Sequence, residues 1–309
     1  MVRLAKNENY FIKGKPYLDA VEMHLFPDLA AESANFLSGA IDVMLVVQQA
    51  DYQRIASSAG IKAQRIPSGR YANIVMRQDQ KPFDDVRVRK ALAMSVDREM
   101  LVDVILEGLG RPAYDNILSP EYQYYDQDTP KIAYDPAAAK KLLAEAGYPD
   151  GIKIKLIASN RPAIRAQVAV ALKQMALPAG FDIDVVTMPH DTFLAEAWMK
   201  APFYVGYWGM QATPDAAFRL LLTSDASYED TAWHNKEFDA LCDKGRETLD
   251  PKERAKIYKQ AQELILKDTP YVIPFFEDVL TASSEKAVDW TIAPISRFFY
   301  VENVWLDRA

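Results

Sequence analysis

The sequence predicts an α/β protein, and three observations carry that prediction. From residue 135 to residue 208, helical and strand-like patterns alternate without interruption. Residues 1–76 also alternate short β-like runs with helices. Half of the 309 residues are apolar, yet the longest apolar stretches, such as Ile41 to Val47 and Val272 to Phe276, are of strand length. The chain is therefore long enough for two domains, has material for a sizeable buried core and, in these stretches, none for a bilayer-spanning helix.

Taken in order, strands are expected at Val21–Phe26, Ile41–Met44, Ile61–Ile66 and Tyr71–Met76, with helices at Asp28–Leu37 and near Asp51. Helices follow at Asp84–Ser95 and Asp97–Glu107, and Gly108 and Gly110 end the second. Residues Arg111 to Pro130, rich in Pro and Tyr and without periodicity, read as a connection running over the surface. Asp135 is an N-cap with Pro136 at the first helical position, Leu142 and Leu143 supply an apolar face, and Gly147 closes the helix in a left-handed turn. The order then runs strand Ile152–Ile157, helix Pro162–Leu177, strand Phe181–Val186, helix Asp191–Met199, strand Phe203–Trp208. Such an order builds a doubly wound parallel sheet, whose ligands sit at the carboxyl ends of its strands. Here those ends are Ser159-Asn160-Arg161, Pro189-His190-Asp191 and Gly209-Met210-Gln211. Three helices come next, one of them opened by Asp250-Pro251, and strands near Tyr271–Phe276 and Val279–Ala282 lead to the terminal run Trp290–Leu306.

Lys and Arg total 36 against 43 Asp and Glu, a net charge of −7, which disfavours a global attraction to nucleic-acid phosphates. Cys242 is the only cysteine, so no disulfide forms within the chain, and its helical spacing with Phe238 and Leu241 reads as a small core residue. His24, His190 and His234 stand apart from one another and from other ligands at metal spacing, which favours structural histidines. There is no nucleophile elbow, phosphate loop, zinc-protease helix or dinucleotide fingerprint. No cofactor and no enzymatic activity are expected.

Several ordered motifs go further. One is Tyr134-Asp135-Pro136 through to Ala146-Gly147-Tyr148-Pro149-Asp150-Gly151; another is Trp233-His234-Asn235-Lys236-Glu237-Phe238-Asp239 with Asp250-Pro251-Lys252-Glu253-Arg254, Ile257-Tyr258 and Lys267-Asp268-Thr269-Pro270. Gly14-Lys15-Pro16-Tyr17-Leu18-Asp19 precedes them, as does Lys81-Pro82-Phe83-Asp84-Asp85-Val86-Arg87 with Val96-Asp97-Arg98 close behind. In this order and spacing the chain resembles the large solute-binding proteins of bacterial ABC importers, family 5, which includes dipeptide-, oligopeptide- and nickel-binding members.

The resemblance implies a periplasmic-binding-protein-like α/β fold of two lobes, here one complete C-terminal lobe plus part of the first. Residues 77–288 would form the C-terminal ligand-binding lobe and residues 1–76 with 289–309 the partial first lobe, with hinge crossings near Arg77–Pro82 and Asp289–Trp290. It implies capture of a small polar or peptide-like solute by lobe closure, a membrane ABC permease as partner, and a periplasmic or extracellular setting. Met1 aligns well inside a typical member and no export signal stands at Met1–Asn7, so a missing upstream part is expected. The alternative is a ligand-sensing domain of a transcription regulator, which an upstream pair of DNA-binding helices would mark.

By the same resemblance, Arg161 corresponds to the arginine that clamps a ligand carboxylate in dipeptide-binding members, with Arg165 competing for that role after a shorter loop. Gln211 stands where peptide binders place an acid for the ligand's amino group, and a neutral amide lacks the charge. Asp215 could supply that charge from the next turn or could cap the following helix. Trp208 reads both as a stacking wall and as a core aromatic. Arg161, Trp208 and Gln211 are expected to converge on one crevice.

Overall fold

The computed structural model describes residues 1–26, 28–295 and 300–307. The chain divides into two compact units, Met1–Pro67 with Asp278–Ala309, and Ser68–Glu277. The expected crossings, after residues 76 and 288, differ from these divisions. Both transitions fall inside long strands, where no break in the apolar pattern marks them.

The first unit opens with β1 (Val2–Ala5) and β2 (Ala20–Met23), an antiparallel pair in which Val2 faces Met23. Asp28 caps α1 (Leu29–Leu37) by accepting from the Ala31 amide. β3 (Val43–Met44), α2 (Gln49–Ala56) and β4 (Ile61–Met76) follow. β4 is one strand of 16 residues; the Pro67-Ser68-Gly69-Arg70 stretch, which the sequence suggested as a break between two strands, is extended within it. The strand leaves the first unit at Pro67. Several large apolar side chains of this unit are exposed, Phe11 at 85% and Leu25 at 83% among them, as are Leu4, Leu29 and Leu45.

In the second unit, α3 (Val86–Met94) and α4 (Arg98–Leu106) are capped by Asp85 and Asp97, and β5 (Gly110–Pro112) leads into the long connection. That connection is not a surface wrap. Ala113, Ile117, Leu118 and Tyr122 enter the core, while Asp115, Asn116 and Ser119 are buried with them. Their polar groups are paired: Asn116 donates to Gln262, Leu118 donates its amide back to Asn116, and Ser119 donates to Glu121. Burial without periodicity is possible because side chains supply the hydrogen bonds that regular structure would otherwise supply.

The alternating heart of the unit is α5 (Pro136–Glu145), β6 (Ile152–Ser159), α6 (Ile164–Ala176), β7 (Phe181–Met188), α7 (His190–Glu196) and β8 (Phe203–Trp208). Asp135 caps α5 through the Ala138 amide, Pro136 stands in its first turn, and Gly147 follows it at φ +102°, all as the sequence predicts. Neighbouring strands run β4-β8-β6-β7. β8, β6 and β7 are parallel, and β4 lies antiparallel to β8, with Tyr71 opposite Trp208 and Met76 opposite Phe203. The sheet is thus mixed rather than wholly parallel.

Strand alternation divides the side chains between two cores. Ala72, Ile74 and Met76 of β4 join Phe203 and Val205 of β8 on one face, covered by α3, α4, α5 and α6. Tyr71, Val75 and Tyr204 enter the other, covered by α7, α8 (Pro214–Leu221), α9 (Lys236–Glu247) and α10 (Pro251–Asp268). Both faces of the sheet are therefore covered, which explains strands that are apolar on both sides. β9 (Tyr271–Val272) pairs with β4, and β10 (Phe275–Ser284) begins against β5 before leaving the unit. Where the second unit begins and ends, the Ser68 hydroxyl donates to the Glu277 carbonyl at 2.7 Å. Back in the first unit, β10 pairs with β3, and β11 (Ala287–Val288) pairs with β12 (Trp305–Leu306). Part of the expected terminal run, residues 296–299, lies outside the described residues.

The motif residues prove to be ties between helices. Asn235 caps α9, and both its side-chain amide and the Trp233 indole donate to the Asp268 carboxylate at the end of α10. Arg89 of α3 donates to the Asp268 carbonyl from two of its nitrogens, so three distant segments meet at one residue. Cys242 is fully buried and its thiol is pushed up by that burial, as a core residue would be.

Candidate functional site

Helix direction places the candidate site. β6 continues into α6, which packs on one face of the sheet, whereas its parallel neighbour β8 continues into α8, which packs on the other. Adjacent parallel strands whose connections diverge in this way form a topological switch point, and ligands of open α/β sheets bind outside the strand carboxyl ends there. Ile157 of β6 pairs with Tyr204 of β8, so Arg161 and Trp208 stand four residues past paired positions on the same edge.

Arg161 is exposed there, joined to Pro162 by a cis peptide bond, and its backbone is fastened on both sides by Ser159: the hydroxyl accepts from the Arg161 amide at 3.1 Å and donates to its carbonyl at 2.9 Å. The same hydroxyl lies 3.0 Å from the His190 Nδ1 at the start of α7. Trp208 is half-buried in an aromatic group with Tyr228, 5.3 Å away between centroids, and Trp198, 6.4 Å away; Trp198 and Tyr228 are stacked. Its position serves both readings, a wall at the strand end and a member of the core margin.

Gln211 turns its side chain back to donate to the Gly209 carbonyl at 3.1 Å, and its backbone amide donates to the Tyr122 hydroxyl at 2.7 Å. Asp215 does not cap α8. Thr213 does, accepting from the Ala216 amide, with Pro214 and Asp215 following in the first turn. The shift of the cap by two residues follows from Pro214, which suits the first helical position and leaves the residue before it as the cap. Burial raises Cys242 of α9 and Tyr258 of α10, the Asp215 carboxylate adds to both, and one of its oxygens is buried without a hydrogen-bond partner.

Arg165, the competitor of Arg161 in the sequence reading, is buried where Arg161 is exposed. It stands in the first turn of α6 and is only 8% exposed. Its guanidinium carbon lies 5.1 Å from the ring centroid of Phe193 and 5.8 Å from that of Tyr207, so it reaches over the ends of the strands between α7 and β8. Burial lowers it to about 10, opposed only by the Tyr207 and Tyr204 hydroxyls. The signal was in the sequence: Arg165 shares spacing i, i+3, i+4, i+7 with Val168, Ala169 and Leu172, the apolar stripe of its helix. Among the described residues, no group of three His, Cys, Asp or Glu is placed to hold a metal ion, and no helix is long and apolar enough to cross a membrane.

The profile of the bacterial extracellular solute-binding proteins, family 5 Middle, matches residues 1–230. The glutathione-binding protein GsiB of Salmonella paratyphi A is 27% identical over 310 residues, 97% of this chain and 60% of the relative. The heme-binding protein A of Haemophilus influenzae is 28% identical over 281 residues, 88% of this chain and 51% of the relative. The chain thus spans between about half and three-fifths of the length of these relatives. Among solved structures, the oligopeptide-binding protein AppA from Bacillus subtilis, in complex with a nonapeptide, aligns with a TM-score of 0.85 at 25% identity, covering 99% of this chain and 64% of that one. DppA from Helicobacter pylori in complex with the peptide STSA gives 0.86 at 24%, covering 98% and 60%. The fold is that of the two-lobe periplasmic binding proteins.

Proposed function

The chain belongs to the bacterial extracellular solute-binding proteins of family 5, and on that premise we propose that it captures a small polar solute for an ABC import system. The observation that carries this reading is the switch point between β6 and β8, where Arg161, Arg165 and Trp208 lie at strand carboxyl ends. Capture proceeds by closure of two lobes around the solute, which stabilises the closed state by its higher affinity for it. In this reading residues 77–288 act as the C-terminal lobe and residues 1–76 with 289–309 as part of the first. A membrane permease receives the solute in the cell envelope. Relatives that bind glutathione or peptides favour a peptide-like solute.

A titration of this chain with di- and tripeptides, glutathione and haem, read by tryptophan fluorescence, tests the reading. A saturable change with at least one solute, carried by the Trp198, Trp208 and Tyr228 group, is expected. Silence across the whole panel would remove solute capture as the function of this chain.

A finer expectation concerns the amino group of the solute. Gln211 supplies no negative charge, so zwitterionic dipeptides bind weakly, and Gln211→Asp improves them by roughly tenfold through a charge-assisted bond. Calorimetry showing tight dipeptide binding by the wild type, abolished when the amino terminus is blocked, would overturn the inference from Gln211.

A further inference from the structure

We propose that Tyr122 is a positioning residue for solute capture: its phenol holds the loop of residues 209–211, at the carboxyl end of β8, in one arrangement before a solute arrives. The proposal rests on the solute-capture reading above. The loop follows Trp208 directly and ends before Thr213 caps α8, so it stands at the rim of the switch point with no regular structure of its own. Gln211 makes one local bond, from its side chain to the Gly209 carbonyl, and one distant bond, from its amide to the hydroxyl of Tyr122, 89 residues earlier. The distant bond is the shorter, 2.7 Å against 3.1 Å. It also decides more, because a local bond moves with the loop whereas a distant one fixes the loop to the rest of the unit.

The anchor is itself held. Tyr122 is 6% exposed and belongs to the connection whose aperiodic sequence reads as solvated. Its amide donates to the Ser119 carbonyl at 3.0 Å, and its carbonyl accepts from the Tyr125 amide at 3.2 Å. On one side of it, Glu121 accepts from Ser119 and from Arg111 of β5. On the other, Gln262 of α10 donates to the Tyr124 carbonyl and accepts from the Asp126 amide. The ring is packed as well: a Cβ at Gly69 of β4 would lie 3.0 Å from Tyr122 Cε2, 3.0 Å from Met210 Cγ and 2.9 Å from Ser119 Oγ. Glycine at this position is a close approach that admits the tyrosine and the loop together. Burial pushes the phenol up to about 12, so at neutral pH it is an uncharged acceptor that keeps its own proton. Phenylalanine would fill the same space and leave the Gln211 amide without that acceptor. A loop so released has to be ordered by the solute itself, which lowers affinity.

The test uses this chain, wild type and the variants Tyr122→Phe, Gly69→Ala and Asn235→Ala, with circular dichroism to establish that each folds. Amide hydrogen exchange is followed by NMR on the ligand-free proteins, and affinity by tryptophan fluorescence with the panel of di- and tripeptides, glutathione and haem. In Tyr122→Phe the Gln211 amide is expected to exchange roughly tenfold faster, while the amides of α10 keep their wild-type rates. Affinity for whichever probe the wild type binds should fall about tenfold. Gly69→Ala should weaken the same probe, since its added methyl group displaces Tyr122 and Met210. Asn235→Ala removes the cap of α9 and controls for lost stability: its thermal midpoint should fall while its affinity holds. Wild-type exchange at the Gln211 amide of Tyr122→Phe would overturn the proposal, as would wild-type affinity in that variant. An affinity loss in Asn235→Ala equal to that in Tyr122→Phe would also overturn it, because general destabilisation would then account for both. Each of these results leaves solute capture in place; no response of the wild type to any probe would remove both.

Discussion

Asp115→Ala is expected to destabilise the protein by about 3–5 kcal/mol, which lowers the thermal midpoint by roughly 10 °C. Asp115 is 1% exposed and accepts from Arg98 Nη2 at 2.5 Å and from the Ile273 amide at 2.9 Å. Its own amide donates back to the Ile273 carbonyl, so the residue clasps the segment before β10 to the connection after β5. Removing the carboxylate orphans a buried guanidinium and a buried amide together, and orphaned charges cost more than the pair contributes. For that reason the double variant Arg98→Met with Asp115→Leu should be less destabilised than Asp115→Ala alone. Urea unfolding of the three proteins checks this. If Asp115→Ala lay within 1 kcal/mol of the wild type, the clasp would be ornamental to stability.

The second large effect depends on pH. Asp230 is completely buried and accepts from the hydroxyls of Tyr204, at 2.7 Å, and Tyr271, at 2.6 Å. Burial pushes its carboxyl from an ordinary 3.8 up to about 6 in spite of those bonds. Between these values the folded chain holds a proton that the unfolded chain has released, so stability falls as the pH rises through that window. The contribution is fully present below about pH 4 and lost once the pH passes about 6, a change of about 3 kcal/mol at 1.36 kcal/mol per unit. Asp230→Asn keeps an acceptor for the tyrosines and removes the titration. It should therefore match the wild type near pH 4 and exceed it by about 2–3 kcal/mol near pH 8. Asp230→Ala should be destabilised at every pH, because two buried hydroxyls lose their acceptor. Parallel pH dependence in the wild type and Asp230→Asn would show that another group governs the slope.

Local rules read much of this fold correctly because they act over a few residues. Asp135 and Asp250, read as helix starts, each cap the helix that follows, as Asp28, Asp85, Asp97 and Asn235 also do. The errors came where distant partners decide. Pro67-Ser68-Gly69 looked like a break, yet it runs extended within β4. The connection from Arg111 looked solvated because no period runs through it, yet Gln262 of α10 and other remote side chains satisfy its polar groups. At the candidate site, Arg161 was legible as a strand-end arginine, and the only local sign that Arg165 is buried is its place on the apolar stripe of α6. The burial of Arg165 depends on Phe193 and Tyr207, which lie 28 and 42 residues downstream. Thr213 rather than Asp215 caps α8, and Pro214 between them was the clue.

The hydrogen bond from Ser68 to Glu277 carries an implication for how such chains can be rearranged. The second unit begins and ends at two residues within 2.7 Å of each other, atom to atom, and holds its own cores. A segment with adjoining ends is a cassette: it can be grafted into a host loop through two short joints, or closed on itself and reopened elsewhere as a circular permutant. Evolution has the same freedom, since exchanging residues 68–277 between relatives would swap Arg165, Trp208 and Gln211 as one block and leave the flanking segments of either parent unaltered.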